Sequence, residues 1–332
     1  MNKSKQTKQA SHHGLKALRV VTPVTTSANM TCNDLVLAME QSGVMGGGKV
    51  AQSVRIAETM IRDKECTVFF GFAGAMVPGG MRQVIIDMIN DGWVDVVVTT
   101  GANLTHDLIE AIGYHHYQGH HLMDDAMLNK EGYDRMYDSL MPNNVYEGLE
   151  DFFAKHFDTL TSTGQGGQIS IKEFLHRLGS LVPKDRPSIL GACYEKNIPL
   201  FCPALADSGI GLMLWGHLAK NKKVLVGAFD DLKDMINLAW EAKKAGVWYV
   251  GGGVPKNYIQ QAMQLAPRAA EYGIQITMDR PEPGGSSGAG LAEGISWGKM
   301  NVEAKFVDLI CDSTIALPLI SAAVKERLAK SK

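Results

Sequence analysis

The run with the most chemical character lies near the C-terminus: Glu293-Gly-Ile-Ser-Trp297-Gly-Lys299-Met300. A lysine set between a Trp-Gly pair and an apolar methionine is a candidate amine nucleophile. Burial disfavours the ammonium, and the neutral amine is the form that makes an imine with a carbonyl or iminium carbon. Just before it, Pro281-Glu-Pro-Gly-Gly-Ser-Ser-Gly-Ala-Gly290 is a glycine-rich loop suited to be the lid of such a site.

A second set of signals follows apolar runs that read as strands. Gly251-Gly-Gly-Val-Pro-Lys256 comes after Val247–Val250 and opens a helix with a proline. Backbone without Cβ lets a dinucleotide approach closely, and the free amides of a helix start favour phosphate. The spacing is not that of the usual dinucleotide glycine fingerprint. Thr99-Thr100-Gly101-Ala102-Asn103, Asp207-Ser208-Gly209 and Asp312-Ser313 follow three further strand-like runs. In open parallel sheets ligands bind beyond the carboxyl ends of strands, so these four ends together outline one cofactor cleft. Two other signals carry less. Gly43-Val-Met-Gly-Gly-Gly48-Lys49-Val50 lacks the Ser or Thr that ends a nucleotide P-loop and reads as a helix–helix turn. His115, His116, His120 and His121 have no acidic or thiol ligand motif around them, so solvated or interface histidines are expected and no metal.

The elements that must hold these residues alternate. Strands are predicted at Thr67–Phe70, Val94–Thr99, Pro199–Cys202, Lys223–Gly227, Val247–Val250, Ile274–Thr277 and Phe306–Ile310. Continuous apolar runs of this kind are buried on both faces. Helices are predicted between them at Met81–Asn90, Thr105–Ala111, Asp230–Ala245 and Lys256–Gln264. This predicts an α/β fold with a single large, doubly wound, mostly parallel sheet of Rossmann-like type. Thr31–Gln41 and Val50–Asp63 read as an N-terminal helical region, and His115–Val182, with no clear strand, as a helical insertion. Residues 1–20 are expected to be a mobile tail and 21–330 the catalytic domain.

Composition narrows the partners. Of 332 residues 45% are hydrophobic and 20% charged, which suits a globular chain with a substantial core. A formal net charge of -2 gives no basic field for nucleic acid. Five scattered cysteines without paired spacing, no apolar run of membrane length and a polar N-terminus predict a cytoplasmic protein.

Taken in order, Phe70-Gly-Phe-Ala-Gly-Ala-Met-Val-Pro78, Val97-Val-Thr-Thr-Gly-Ala-Asn103, Ile198-Pro-Leu-Phe-Cys-Pro-Ala-Leu-Ala-Asp207, Gly251-Gly-Gly-Val-Pro-Lys256 and Ser296-Trp-Gly-Lys299 resemble the deoxyhypusine synthase family, across roughly Asn33 to Val324. The resemblance implies a homotetramer with NAD and active sites in clefts shared by paired subunits. It implies that NAD takes a hydride from spermidine, that Lys299 captures the four-carbon aminobutyl group as an imine, and that an acceptor amine receives it. Lys299 is then the catalytic residue. Trp297 offers an apolar wall and a cation–π face to the polyamine, Glu293 a carboxylate for its ammonium, and Asn257 and Ser286 complete the substrate contacts. Thr100, Gly101, Asp207, Gly251, Gly253, Ser287 and Asp312 match positions that contact NAD.

The departures from the eukaryotic enzymes are also part of the resemblance. Asn257 stands where they have a histidine, Ser286 and Leu212 where they have substrate-contacting carboxylates, and His106 where an acidic residue lies beside the cofactor. The acceptor is therefore either a lysine of the hypusine-bearing translation factor or a small diamine such as putrescine, as in homospermidine-forming relatives. An inactive NAD-binding oligomer is a third expectation, opposed by the intact Ser-Trp-Gly-Lys motif. A zinc-bearing deacylase is disfavoured by the missing cysteine pairs.

Overall fold

In the computed structural model of the protein, residues 18–162, 168–220 and 226–330 are described. The expected tail therefore falls almost wholly outside the described residues. The chain opens with helices α1 (Cys32–Ser42) and α2 (Met45–Arg62), then β1 (Cys66–Phe72), α3 (Arg82–Asn90), β2 (Val96–Thr99) and α4 (Gly101–Ala111). The insertion holds β3 (Tyr117–Gln118), α5 (Asp125–Glu131), β4 (Tyr133–Met136), β5 (Ser139–Pro142), α6 (Val145–Thr161), β6 (Ile169–Ser170) and α7 (Ile171–Leu181), and α8 (Ile189–Glu195) follows it. The chain then returns through β7 (Leu200–Phe201), α9 (Gly209–Ala219), β8 (Val226–Gly227), α10 (Phe229–Glu241) and β9 (Lys244–Val250). It ends with α11 (Gly253–Leu265), β10 (Ala270–Thr277), α12 (Glu293–Ser296), β11 (Met300–Ile310) and α13 (Ser313–Ala329).

Six strands form one sheet in the order β11-β10-β9-β1-β2-β7. Every neighbouring pair is parallel. Counted in chain order within this sheet, the arrangement is 3-2-1-4-5-6, the dinucleotide-fold order, with its reversal between β1 and β9. Alternation along each strand feeds two cores. Val68, Phe70, Phe72, Trp248 and Val250 face one, with α2, α3 and α13, while Phe69, Val247 and Tyr249 face the other, with α10 and α11. Both faces are covered, which explains why these strands read as unbroken apolar runs.

Four expectations need correction. The insertion is not purely helical, because β3, β5 and β4 pair as a small sheet. These strands are only two to four residues long, too short to show an apolar period, and Tyr137 turns the hairpin at φ 58°. The strand expected at 223–227 is not part of the large sheet: its described end, β8, pairs with β6. The helix expected to reach Ala245 stops at Glu241, and Lys244–Gly246 pair with β1 instead. Helix propensity of the Glu-Ala-Lys-Lys run yields there to tertiary pairing, helped by Lys244 Nζ bonding to Asp63 at 2.8 Å. Finally, the turn between α1 and α2 is confined to Gly43 and Val44, and Gly46 to Gly48 lie within α2. A Cβ on Gly48 would stand 2.5 Å from the Gly43 carbonyl carbon, so glycine there lets α2 pack onto the end of α1.

No helix among the described residues is long and apolar enough to cross a membrane.

Candidate active site

Five sequence-selected residues line one cavity. Lys299, Glu293, Trp297, Asn257 and Ser286 enclose about 260 Å³ together with Lys256, Gln260, Gly290 and others. The cavity lies between the start of α11, the 281–290 loop and the short helix α12. Gly294 lets α12 close onto the lysine: a Cβ there would be 3.0 Å from Met300 Cγ and 3.5 Å from Lys299 Cβ, while Lys299 N donates to Gly294 O at 2.8 Å.

Lys299 is half-buried, and its Nζ stands 4.9 Å from the centroid of the Trp297 ring. Among the described residues its ammonium has no hydrogen bond or ion pair. Trp297 is 56% exposed and so presents its ring to the pocket mouth rather than to the core. Glu293 is exposed on the same rim. Lys299 immediately precedes β11, at the amino end of that strand, whereas the cofactor candidates sit at carboxyl ends. The loop spans this distance, because Ser286 lines the cavity while Ser287 touches the glycine turn: a Cβ on Gly252 would be 2.3 Å from Ser287 Cα.

The cofactor candidates Thr100, Gly101, Asp207, Gly251, Gly253 and Asp312 follow the carboxyl ends of four parallel strands, with the Gly251–Gly253 turn beside the strand-order reversal between β1 and β9. Ala73 N, past β1, donates to Val250 O at 2.9 Å, and Gly251 adopts φ 73° with its backbone against Ala73 O. Gly253 adopts φ 59°, and Gly252 supplies α11 with no side-chain cap. Thr100 caps α4 by accepting from Asn103 N at 3.3 Å, and Asn103 Nδ2 donates to Gly74 O at 2.9 Å, tying β1's loop to this helix start. Gly101 abuts the Asp207-Ser208 turn, since a Cβ there would lie 2.5 Å from Ser208 Cβ. The Asp207 carboxylate is exposed and makes no hydrogen bond among the described residues. Asp312 caps α13, accepting from Thr314 N at 2.7 Å and Thr314 Oγ1 at 2.8 Å, and Thr314 in turn borders Gly79 of the β1 loop. Leu212, by contrast, is exposed on α9 and does not line the cavity.

Sequence reasoning missed two groups. Lys256 was visible only as the end of a glycine turn, yet it is 4% exposed and its Nζ donates to Ser286 O at 2.7 Å and Ala289 O at 2.5 Å. Burial pushes its ammonium down to about 8, with Asp308 and Glu293 opposing that shift and Lys299 adding to it. Asp308 accepts from Leu291 N at 3.0 Å, and burial raises its carboxyl above the usual range.

The second group surrounds His106. His116 Nδ1 lies 2.7 Å from Glu110 Oε1 and its Nε2 lies 2.9 Å from His106 Nδ1. Arg82 bonds both Glu110 at 3.0 Å and Asp107 at 2.8 Å. Burial, aided by His116, lowers His106 to about 4, so its ring is neutral near neutral pH. Burial pushes Glu110 up, but the His116 hydrogen bond and the Arg82 charge outweigh it and hold the carboxyl below its ordinary value. The expectation of solvated histidines fits His115, His120 and His121, which are exposed, and fails for His116, whose side chain is 6% exposed.

A sequence model of the deoxyhypusine synthase family matches residues 34–324. "Probable deoxyhypusine synthase 1" of Methanosarcina mazei is 44% identical over 321 residues, covering 96% of this chain and 99% of its own. "Probable deoxyhypusine synthase" of Methanosarcina thermophila is 44% identical over 304 residues, 91% of this chain and 93% of its own. A solved structure from Entamoeba histolytica that carries the same family name superposes with a TM-score of 0.60 at 17% identity, over 89% of this chain and 93% of that one. At that identity the superposition speaks for the fold alone.

Proposed function

The chain belongs to the deoxyhypusine synthase family, and from that premise we propose how its residues carry an NAD-dependent transfer of an aminobutyl group from spermidine to an acceptor amine. The enzyme is a transferase of the deoxyhypusine synthase class.

The strand ends fit a dinucleotide. Two positive-φ glycines and an uncapped helix start leave backbone amides open beside the strand-order reversal, where phosphate is favoured. Gly251, Gly253, Ser287, Thr100, Gly101, Asp207 and Asp312 would hold NAD, with the free Asp207 carboxylate suited to ribose hydroxyls. When bound, the nicotinamide supplies hydride acceptor and, later, hydride donor chemistry.

Lys299 does the covalent work. Oxidation beside the secondary amine of spermidine leaves a C=N carbon, which the Lys299 amine attacks. Diaminopropane leaves, and the aminobutyl group remains on Lys299 as an imine. The acceptor amine adds to the same carbon, Lys299 departs as a free amine, and reduction saturates the new C=N bond. Trp297 shields the imine and attracts the polyamine's cationic end through its ring face. Glu293 anchors an ammonium at the rim and can carry protons between amine steps. Asn257 and Ser286 give neutral hydrogen bonds where a histidine and a carboxylate stand in eukaryotic enzymes, so Asn257 is no base near neutral pH.

The acceptor is a lysine of the hypusine-bearing translation factor. Subunits pair into a homotetramer, which the exposed apolar stripe Leu212, Trp215 and Leu218 on α9 supports. Five free cysteines suit a cytoplasmic enzyme.

The observation that carries this function is the Lys299 amine, without hydrogen bond or ion pair among the described residues, facing a tryptophan inside a polar cavity. Incubation with spermidine and NAD followed by borohydride should fix a four-carbon adduct on Lys299, seen by peptide mass spectrometry. Lys299→Ala should give no adduct and lose activity by more than about 10³-fold. An unlabelled Lys299 with NAD bound would refute the imine route, and product with putrescine but not with the factor would reassign the acceptor.

A further inference from the structure

The 281–290 loop is rich in glycine and serine, and fixing such a backbone costs about 1–2 kcal/mol per residue. Its own hydrogen bonds are few: Gly284 N to Pro281 O, and Gly288 N and Ala289 N to Gly285 O. Three anchors tie it to the fold. Leu291 N bonds to Asp308, Gln275 Nε2 donates to Ala289 O at 3.0 Å, and Lys256 Nζ donates to both Ser286 O and Ala289 O. Among the described residues, only Lys256 bonds on both sides of Ser287.

We propose that Lys256 is a positioning residue whose buried ammonium clips the 281–290 loop onto α11, fixing Ser286 at the polyamine pocket and Ser287 on the Gly251–Gly253 turn in one movement. This deepens the aminobutyl-transfer function and rests on it for its consequence. The two lysines of the cavity thus divide their labour. Lys256 spends its donors on backbone carbonyls and is unavailable as a nucleophile, whereas Lys299 is left free. The clip also links the two halves of the site, because Lys256 lies three residues beyond the turn that would hold the dinucleotide and reaches the loop that walls the polyamine cavity. A charge-assisted hydrogen bond is the strong kind, and two of them to one flexible segment decide whether it stays closed.

The test is Lys256→Met in the full-length protein, read by hydrogen exchange as well as by activity. Losing the clip should speed exchange at the Gly288 and Ala289 amides by about 10- to 100-fold, while peptides of β9 and β10 keep wild-type protection. NAD affinity and Lys299 adduct formation should fall together, by about tenfold or more, and Lys256→Arg, which keeps charged donors, should recover part of both. Wild-type exchange in the loop of a folded Lys256→Met protein overturns the proposal. If that variant loses protection in β9 and β10, Lys256→Gln decides in its place: faster loop exchange over a protected sheet supports the clip, and unchanged exchange overturns it. Absence of any Lys299 adduct in the wild-type protein would defeat the transfer function instead, and would leave the exchange result to decide the clip by itself.

Discussion

Two amines and one indole set the chemistry of the cavity. Lys299 and Lys256 are of the same type, yet one is half-buried without a polar partner and the other is buried and bonded to two carbonyls. Partnering, more than residue type, separates the proposed nucleophile from the proposed positioning residue. Trp297 has an exposed ring 4.9 Å from the Lys299 ammonium, which makes it the apolar side of a site otherwise lined by polar groups. A cation over an indole is worth about 0.5–2 kcal/mol. Trp297→Leu should therefore raise the KM for spermidine by about 3- to 30-fold, with Trp297→Phe closer to wild type in steady-state assays. Equal KM values for all three proteins would remove the ring from substrate binding.

At the scale of elements, α4 bears two loads. Its first turn carries Thr100 and Gly101 to the cofactor side, and its later turns carry Asp107 and Glu110 into the core. Asp107 is fully buried, pairs with Arg82, and accepts from Ser188 Oγ, Ile189 N and Leu190 N at 2.8–2.9 Å. Its carboxylate thus caps α8 and fixes that helix against α4. Removing one member of a buried charge pair costs about 3–5 kcal/mol. Asp107→Asn should destabilise the protein by that order in denaturant unfolding, and a change under about 1 kcal/mol would show the network to be dispensable. Glu110, bonded to the same arginine, also bonds His116, whose other ring nitrogen lies 2.9 Å from His106 Nδ1. Burial, more than this chain of bonds, keeps His106 neutral.

For the whole molecule, the neutral His106 has a consequence for acid stability. Its folded pKa is about 4 against an ordinary 6.5, so between those values the unfolded chain binds more protons than the folded one. Stability therefore rises with pH across that window and falls as pH drops from about 6.5 toward 4. The groups facing His106 through this network are His116, Glu110 and Arg82. Urea unfolding at several pH values should show this slope, and His106→Gln should flatten it. The fold makes such a cost tolerable, since one parallel sheet with both faces covered gathers a large core on either side. The same sheet places the reversal of strand order, between β1 and β9, beside the glycine turn proposed to hold the dinucleotide.

The sequence by itself determined the α/β class, most of the sheet strands and five residues that line the Lys299 cavity. Apolar runs and glycine turns are local, and local signals survive without coordinates. It could not reveal the small sheet of the insertion, whose strands of two to four residues are too short to show an apolar period, nor the end of α10, where pairing with β1 overrides helix propensity. Lys256, Asp308 and the His106–His116–Glu110–Arg82 network were also invisible there, because their partners are distant in the chain and a charge's environment is made only when the elements pack. Tertiary structure alone decided which lysine is held and which is free.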